Sequence, residues 1–525
     1  MVTAEVAGPS RLSGDADTIR AALTAVEQPF FLVRGNGALA VTGDAALARA
    51  AGQVLAAAPP CPPQALGDEQ FRRAHGVRYA YMAGAMANGI ASAAMVTALA
   101  RAGILASFGA AGLLPDKVDA ALAAISRQAP GAAFCCNLIH SPSEPALERA
   151  TVELCLRHQV RCVEASAFLR LTAPVVQYRV AGLTRRDGRV VALNKVIAKV
   201  SRTEVAEAFL RPPPEAILRE LTESGAVTAE QADLARHVPV ADDITAEADS
   251  GGHTDRRPLS VLVPDILALR DQIQRELGYP DQIRVGAAGG IGSPAAVFAA
   301  FALGAAYVVT GSVNQASVEA DQSDAAKELL AAATATDCDL APAADMFEIG
   351  ADVQVLRRGT MFAARARQLR EIYRRCESID EIPAAEREAL EARTFRRPLG
   401  DIWDDCVRYF SQRDPDQITR AEGSQKRKMA LIFRWYLGQS SGWSIAGEPD
   451  RLTDYQIWCG PAMGAFNGWA AGSYLAPVRN RHAADLAVHL MRGAAVAART
   501  AHLRTAGVQL PASACGYLPT PLEES

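Results

Sequence analysis

Residues 283–312 read IRVGAAGGIGSPAAVFAAFALGAAYVVTGS, in which two strand-like apolar runs each end in glycine, with an Ala-rich helical stretch between them. In a closed β/α barrel, the loops after the seventh and eighth strands often form a phosphate site, because bare backbone N–H groups and the helix dipole favour a dianion. A single glycine turn is weak evidence, so it is the pairing of the two loops that favours phosphate binding. The predicted phosphate-binding residues are Gly289, Gly290, Ile291, Gly311 and Ser312. The motif GGIGSP is not GxGxxG and lies late in the chain, which disfavours a doubly wound dinucleotide domain.

From about residue 77, short apolar runs alternate with helical stretches. The eight runs are VRYAYMAG, GILASFGA, AAFCCNLI, RCVEASA, NKVIAKVS, VPVADDITAEA, IRVGAAGG and AAYVVTGS. This alternation is typical of parallel α/β structure, and eight units fit a TIM-type (β/α)8 barrel better than an open doubly wound sheet. Residues 174–180 compete with 196–200 for the place of the fifth strand. The clearest helices are predicted at Met86–Ala102, Asp116–Gln128, Glu144–Gln159 and Pro294–Leu303.

Regions of different composition flank the predicted barrel. The first has two β-rich runs on either side of Arg34-Gly35-Asn36-Gly37, as a hairpin would, and ends in a Pro-rich segment. After the eighth unit the chain is rich in Arg and aromatic residues and has helical periodicity. We therefore predict a small N-terminal α/β region at 1–63, the barrel at 64–345 and a mainly helical region at 346–525.

The bulk composition excludes several classes of protein. The 525 residues are half hydrophobic and carry a formal net charge of -4, which is typical of a folded globular protein and disfavours binding to nucleic acid or an anionic membrane. The N-terminal residues lack the pattern of a signal peptide, and the longest apolar run, 294–309, is shorter than a bilayer span of about 20 residues. Ten cysteines without CxxC spacing indicate reduced thiols and a cytoplasmic protein, and the scattered histidines give no support to a metal site.

Three further segments end predicted strands, at the barrel face where active sites lie. Small residues at Ala83, Gly84 and Ala85 would let a planar ring such as flavin approach the backbone, with Met86 over its face, although a tight turn needs small residues too. Asn137 could form a hydrogen bond with a ring edge or simply with the backbone of a loop.

Lys195 and Lys199 share one side of an apolar strand, where an ammonium needs an anionic partner. We favour Lys199, the nearer to the C-terminal end, as the cation beside a reduced flavin, with a structural salt bridge as the alternative.

The segment ADSGGHTD, residues 248–255, closes the sixth predicted strand and presents a histidine after two glycines. Histidine is the natural proton donor near neutral pH, and Asp249 or Asp255 could hold its tautomer. A lone histidine is more often structural, but the position at the predicted active rim favours a catalytic or substrate-polarising role for His253.

With these residues in view, the chain resembles the FMN-dependent group that contains nitronate monooxygenases and flavin-type enoyl-acyl carrier protein reductases. The shared pieces are GAMANGI, NL at the end of the third strand, SGGH, AAGGIGSP and VVTGS, all within residues 78–315. The later segments MFEIGADVQVLRRGTMFAARARQLREIY, FRRPLGDIWDDCVRYF and the stretch from IWCGPAMG to MRGAA resemble PfaD-type trans-acting enoyl reductases of polyketide and polyunsaturated fatty acid synthases.

The resemblance implies that NADPH reduces FMN, which then passes hydride to the β-carbon of an α,β-unsaturated thioester on an acyl carrier protein. The FMN contacts carried over are Ala83, Gly84, Met86, Asn137, Gly251, Gly252, Gly289, Gly290, Gly311 and Ser312, and His253 matches the active-site histidine. Nitronate monooxygenase-like chains often have Gly and another basic residue after GGH, whereas this chain has Thr254-Asp255-Arg256. That departure leaves the identity of the proton donor open.

The same resemblance gives the helical region a possible role as a substrate cap with a docking face for an acidic carrier. We expect residues 424–443, with Lys426, Arg427 and Lys428, to contribute to that face, and we expect a homodimer. The alternatives are a nitronate-type flavin oxidase of small molecules and a flavin-binding component of a synthase without turnover of its own. The sequence leaves open the acyl chain, the choice between NADPH and NADH, and the product.

Overall fold

The computed structural model describes residues 12–35, 38–140 and 145–522, and its strands are numbered in chain order. The strands are β1 Phe30–Gly35, β2 Ala38–Thr42, β3 Gln53–Ala58, β4 Tyr81–Ala83, β5 Leu105–Phe108, β6 Cys135–Ile139, β7 Cys162–Ser166, β8 Leu183–Arg186, β9 Arg189–Ala192, β10 Lys195–Val200, β11 Asp243–Glu247, β12 Gly252–His253, β13 Arg284–Ala288, β14 Val308–Thr310, β15 Cys338–Pro342 and β16 Asp352–Leu356.

The helices of the same residues are numbered likewise. They are α1 Ala16–Thr24, α2 Ala45–Ala50, α3 Glu69–His75, α4 Ala93–Arg101, α5 Pro115–Gln128, α6 Pro145–Arg157, α7 Ala173–Ala181, α8 Thr203–Leu210, α9 Glu215–Glu223, α10 Ala229–Ala235, α11 Leu259–Leu277, α12 Pro294–Ala302, α13 Ser312–Gln315, α14 Asp324–Ala331, α15 Phe362–Arg375, α16 Ala384–Ala389, α17 Leu399–Arg413, α18 Asp416–Glu422, α19 Gln425–Ala446, α20 Ala462–Ala470 and α21 Ala483–Thr505. A π-helical turn at Leu390–Phe395 follows α16, and short 3-10 turns lie at Pro63–Ala65, Ile379–Glu381, Pro449–Asp454, Val478–Asn480 and Ala512–Ala514.

Eight parallel strands form the predicted closed barrel, in the order β10-β11-β13-β14-β4-β5-β6-β7. The eighth barrel strand pairs with the first, with Thr310 opposite Ala83, and this pairing closes the barrel. All eight apolar runs supply a barrel strand, so the predicted TIM-type fold is confirmed. The competing residues 174–180 lie in α7, which leaves β10 as the fifth strand.

The predicted helices around the barrel are present, with shifted ends. The first begins at Ala93 rather than Met86, because Asn88 and Gly89 both have positive φ angles, 58° and 79°, which a helix does not allow. Ser92 caps it by accepting a hydrogen bond from Met95 N. The predicted helix at 144–159 is observed at Pro145–Arg157, and its first predicted residue, Glu144, lies outside the described residues.

Two three-stranded sheets contain strands from outside the barrel. Strands β1 and β2 pair antiparallel, with Gly35 opposite Ala38, as the hairpin prediction requires, while the predicted turn residues Asn36 and Gly37 lie outside the described residues. A second sheet has the order β12-β16-β15. Because β12 carries the histidine loop and β15–β16 follow the barrel, this sheet joins the hairpin after the barrel to the rim formed by the C-terminal ends of the barrel strands.

The helical region packs as two parts. Residues between 341 and 437 form a core of their own, which includes Phe347, Phe395 and Phe433. Residues 455–494 instead join the core of the barrel. The long helix α21 packs on α12, and its last turns share a core with α1 and the N-terminal sheet. Within the described ranges, no helix is long and apolar enough to cross a membrane.

Candidate active site

A cavity of about 1690 Å³ lies at the C-terminal ends of the barrel strands and extends between α17 and α19 of the helical region. Thirteen of the fourteen predicted site residues line it: Gly84, Ala85, Met86, Asn137, Lys199, Gly251, Gly252, His253, Gly289, Gly290, Ile291, Gly311 and Ser312. Ala83 does not line it and is buried in β4. Pockets for one small ligand usually measure about 300 to 1,000 Å³, so this cavity has room for a cofactor and a substrate together.

The two glycine loops form one part of the wall. Gly289 and Gly290 have φ angles of +85° and +70°, and a Cβ at Gly289 would lie 2.5 Å from the backbone of Ala248. A Cβ at Gly290 or Gly311 would instead meet nothing within 4 Å. The positive φ angles therefore favour glycine at both 289 and 290, the closeness of Ala248 leaves no room for a side chain at 289, and Gly290 and Gly311 leave the open backbone that a phosphate group needs.

Polar groups without partners lie beside these loops. Ser250 Oγ and Gln315 Nε2 are buried and have no hydrogen-bond partner among the described residues, and both residues line the cavity. Ser312 Oγ accepts a hydrogen bond of 3.0 Å from Gly460 N and keeps its own proton for another acceptor. Because buried polar atoms normally have partners, these groups fit a polar ligand such as the phosphate and ribityl chain of FMN.

Lys199 is held between two carboxylates. Its Nζ lies 3.3 Å from Glu247 Oε1 and 3.7 Å from Glu164 Oε1. Burial by itself lowers the pKa of Lys199, but Glu247 and Glu164 outweigh that effect and raise it, so the side chain is charged. The structural salt bridge that the sequence left as an alternative is therefore present, at the cavity wall. Lys195 lies at the opposite end of β10, where its Nζ donates to Ala74 O.

The sequence prediction missed Glu164 and Glu247. Glu164 is buried in β7, where it accepts a hydrogen bond of 2.8 Å from Ala85 N as well as pairing with Lys199. Both glutamates interrupt apolar strands, RCVEASA and DITAEA, which is the same signal that identified Lys199. Asn137 also has a structural role, because its Nδ2 donates to Glu164 O and Ser166 Oγ, both at 3.1 Å.

His253 pairs with a carboxylate that the sequence did not predict. Its Nε2 lies 3.2 Å from Asp345 Oδ1. The expected partners Asp249 and Asp255 are wrong, because Asp249 accepts from Gln354 and Asp255 pairs with Arg202. Burial lowers the pKa of His253, but the hydrogen bond and charge of Asp345 outweigh burial and raise it.

The far wall of the cavity belongs to the helical region. It includes Tyr409 and Phe410 of α17 and Trp435 and Trp443 of α19. Arg451 lies over the Trp443 ring, with 4.2 Å between the guanidinium carbon and the ring centre. The wall therefore combines flat apolar surfaces with cations.

The three cations predicted for carrier docking contact the protein itself. Lys426 Nζ donates to the carbonyl groups of Tyr373 and Cys376, Arg427 donates to Gln417, and Lys428 lies over the Trp403 ring. These contacts give the three side chains a role in packing the helical region, and docking at this face stays a prediction. Within the described ranges, no group of three or more His, Cys, Asp or Glu residues could hold a metal ion.

Comparison with known protein families identifies two matching regions. Residues 70–369 match the family Nitronate monooxygenase. Residues 376–455 match the inserted helical domain of [acyl-carrier-protein] S-malonyltransferase. The first match covers the barrel and the β15–β16 hairpin, and the second covers α16 to α19.

Similar proteins include a polyunsaturated fatty acid synthase component and a polyketide biosynthesis protein. The chain is 46% identical over 453 residues to a polyunsaturated fatty acid synthase component of Thraustochytrium sp., a match that covers 85% of this chain and 30% of the relative. It is 46% identical over 435 residues to the polyketide biosynthesis protein PksE of Bacillus subtilis, covering 82% of this chain and 56% of the relative. The chain thus spans less than two thirds of these relatives.

A solved structure of an enoyl reductase domain matches this chain over almost the whole length of that domain. It is the enoyl reductase domain of MlnA from the macrolactin biosynthesis cluster of Bacillus amyloliquefaciens, with 38% identity and a TM-score of 0.80. The match covers 85% of this chain and 99% of that domain.

Proposed function

The chain belongs to the nitronate monooxygenase family of oxidoreductases and, within it, to the PfaD-type enoyl reductases, and we propose that it uses FMN and NADPH to reduce a carrier-bound 2-enoyl thioester. The observation that carries this proposal is the single cavity that joins the glycine loops, Lys199 and His253 to the aromatic wall between α17 and α19. A small-molecule oxidase has no need of that extension.

The residues that would hold FMN fall into two groups. Its phosphate would bind at the backbone of Gly289, Gly290 and Gly311 with the Ser312 hydroxyl, because these residues line the cavity and the space beside Gly290 and Gly311 is open. Its ring would lie against the small residues after β4, with Lys199 providing positive charge. When bound, FMN would accept hydride from NADPH and pass it to the β-carbon of the substrate.

The remaining steps belong to the protein side chains. Glu164 and Glu247 hold the Lys199 ammonium in position, so that its charge is oriented before the cofactor is reduced. His253 would donate a hydrogen bond to the thioester carbonyl or a proton to the α-carbon. The proton transfer requires the imidazolium form, whereas a neutral imidazole can also donate the hydrogen bond.

The carrier-bound substrate is supported by the second part of the chain. The helical segment 376–455 matches a domain from an enzyme that acts on an acyl carrier protein, and the relatives are a polyunsaturated fatty acid synthase component and a polyketide biosynthesis protein. An acyl thioester on a flexible arm would enter between α17 and α19, where aromatic side chains can contact the acyl chain.

Anaerobic half-reactions of the purified chain test the proposal. We expect a yellow protein that releases FMN, that is bleached by NADPH, and whose flavin is reoxidised by crotonyl thioesters of an acyl carrier protein. Faster bleaching by a nitroalkane than by NADPH would favour the oxidase alternative. A colourless protein that refuses added FMN would overturn the flavin proposal altogether.

A further inference from the structure

The loop that carries His253 is braced by a hairpin from outside the barrel. In the sheet β12-β16-β15, His253 lies opposite Val353 and Gly252 lies opposite Gln354. The Gln354 side chain donates hydrogen bonds of 2.8 Å to Asp249 Oδ1 and to Ser250 O. Backbone pairing and a buried side chain therefore both fix the histidine loop to β16.

The turn of the same hairpin carries Asp345. Strands β15 and β16 pair in register, and Ala343 N donates to Ala351 O at 3.0 Å, which closes the turn. Asp345 Oδ1 then lies 3.2 Å from His253 Nε2. His253 lies in β12 and Asp345 lies in the turn that joins β15 to β16, so the backbone hydrogen bonds of one sheet help to fix their relative position.

The contact with Asp345 uses Nε2 of His253 and leaves Nδ1 available to a bound substrate. Among the described residues, His253 Nδ1 forms no hydrogen bond, and His253 lines the cavity. The charged groups that face the ring are Asp345, Glu247 at the end of β11, and Lys199 of β10. Two of these three are carboxylates, so the surroundings favour the imidazolium form.

We propose that Asp345 is a positioning residue, which binds Nε2–H of His253 and holds the ring so that Nδ1–H faces the substrate. This inference rests on the proposed function of His253. The electron pair of the hydride would form the new C–H bond at the β-carbon, the C=C π pair would move to the α-carbon as an enolate, and that pair would form the second C–H bond with the Nδ1–H proton of the imidazolium. The neutral imidazole would keep Nε2–H on Asp345 and regain a proton from solvent at Nδ1, since the side chain is 36% exposed.

The raised pKa of His253 supports this role. Burial alone lowers its pKa, and the raised value comes from the hydrogen bond and charge of Asp345. Removing that carboxylate should therefore let burial and Lys199 dominate and lower the pKa of His253. A residue with a purely structural role would leave the titration unchanged.

The test compares Asp345→Asn with Asp339→Asn. Asp339 is a carboxylate on the same hairpin that pairs with Arg367 at 2.9 Å and does not line the cavity, which makes it a matched control. Histidine-selective NMR titration, with the His253 signal assigned by its loss in His253→Gln, measures the pKa without turnover. We expect a fall of about one pKa unit in Asp345→Asn and no change in Asp339→Asn.

Kinetics give a second readout. Above neutral pH, Asp345→Asn should reoxidise its flavin with enoyl thioester about tenfold more slowly than the unaltered chain, because a pKa lower by one unit reduces the protonated fraction tenfold. Flavin reduction by NADPH should be unchanged. An unaltered His253 pKa in Asp345→Asn would overturn the inference even if the chain is active. A chain that shows the pKa change but no enoyl reduction would instead refute the proposed function.

Discussion

Lys199 of β10 and Glu247 of β11 form an ion pair on neighbouring barrel strands, with 3.3 Å between Nζ and Oε1. Glu164 of β7, the strand on the other side of β10, completes a set of one cation between two anions. The cavity wall therefore contains an ammonium that two carboxylates hold in a fixed position. The position of the Lys199 ammonium would therefore be fixed before a flavin binds.

Replacing Lys199 tests the importance of this ion pair. Lys199→Met leaves two carboxylates facing each other at a partly buried site, and we expect a loss of about 3 kcal/mol in the free energy of unfolding, with a lower flavin content. Urea denaturation and flavin absorbance measure the two effects. Lys195→Met, on the same strand but at the end away from the cavity, should cost about 1 kcal/mol or less. Equal losses in both variants would contradict a special role for the Lys199 cluster.

The open space at Gly311 allows stability and cofactor binding to be separated. Its φ of -121° avoids the left-handed region but its ψ of -78° lies outside the favoured regions, and an added methyl group would meet no protein atom within 4 Å. Gly311→Ala should therefore lower the free energy of unfolding by about 1 kcal/mol, from backbone strain alone. The methyl group would, however, occupy the cavity wall, and we expect FMN to bind at least tenfold more weakly in a fluorescence-quenching titration. Gly400→Ala, also in open space but outside the cavity, serves as the control.

Replacing His253 should separate the two half-reactions. In His253→Gln, we expect flavin reduction by NADPH to stay within about threefold of the unaltered rate, because that step needs no proton donor at the substrate. Reoxidation by an enoyl thioester should slow by about a hundredfold or more. Stopped-flow absorbance of the flavin follows both steps. Full retention of enoyl reduction would favour a non-catalytic role for this histidine.

Protonation of His489 should lower the free energy of unfolding in acid. Its ring lies between the hydroxyl groups of Tyr474 and Tyr517, at 2.8 and 2.7 Å, and burial lowers its pKa to about 4. Because the unfolded pKa is about 6.5, the contribution to stability is complete above pH 6.5 and is lost as pH falls toward 4. Between pH 7 and pH 5 the unaltered chain should lose about 2 kcal/mol more than His489→Gln in urea denaturation. The same pH dependence in both proteins would show that His489 takes no part.

Reversing the charge of Lys426 should lower the stability of the helical region rather than weaken carrier recognition selectively. Its ammonium donates to two backbone carbonyls and lies 3.2 Å from Glu377 Oε1, so Lys426→Glu should lower the thermal midpoint of the helical region. We expect similar changes in kcat/KM for carrier-bound and free pantetheine thioesters. A selective loss with the carrier substrate, at unchanged stability, would instead identify this face as the docking surface.

Much of the barrel could be predicted because its signals are local. Each barrel strand is a short apolar run, since parallel strands are covered on both faces, and glycine follows where a turn must be tight. The start of α4 was predicted too early because the turn at Asn88 and Gly89 interrupts an otherwise helical pattern. The role of 174–180 was ambiguous because short apolar runs fit a helix and a strand equally well.

The ion pairs of the site could not be predicted in the same way. His253 and Asp345 are 92 positions apart, and Asp249 and Asp255 were nearer in sequence but bind other partners. The division of the helical region, with residues 455–494 packed into the barrel core, also has no local signal. Pairings of this kind depend on how separate elements pack.

The sequence by itself determined the barrel, its eight strands and the glycine loops that line the cavity, because periodicity and turn geometry act within a few residues. Only the tertiary structure decided that Lys199 lies between Glu164 and Glu247, that Asp345 holds His253, and that α17 and α19 extend the cavity. Those relationships arise from charges and surfaces that meet across the fold, and a buried charge takes whichever partner the packing brings within a few ångströms.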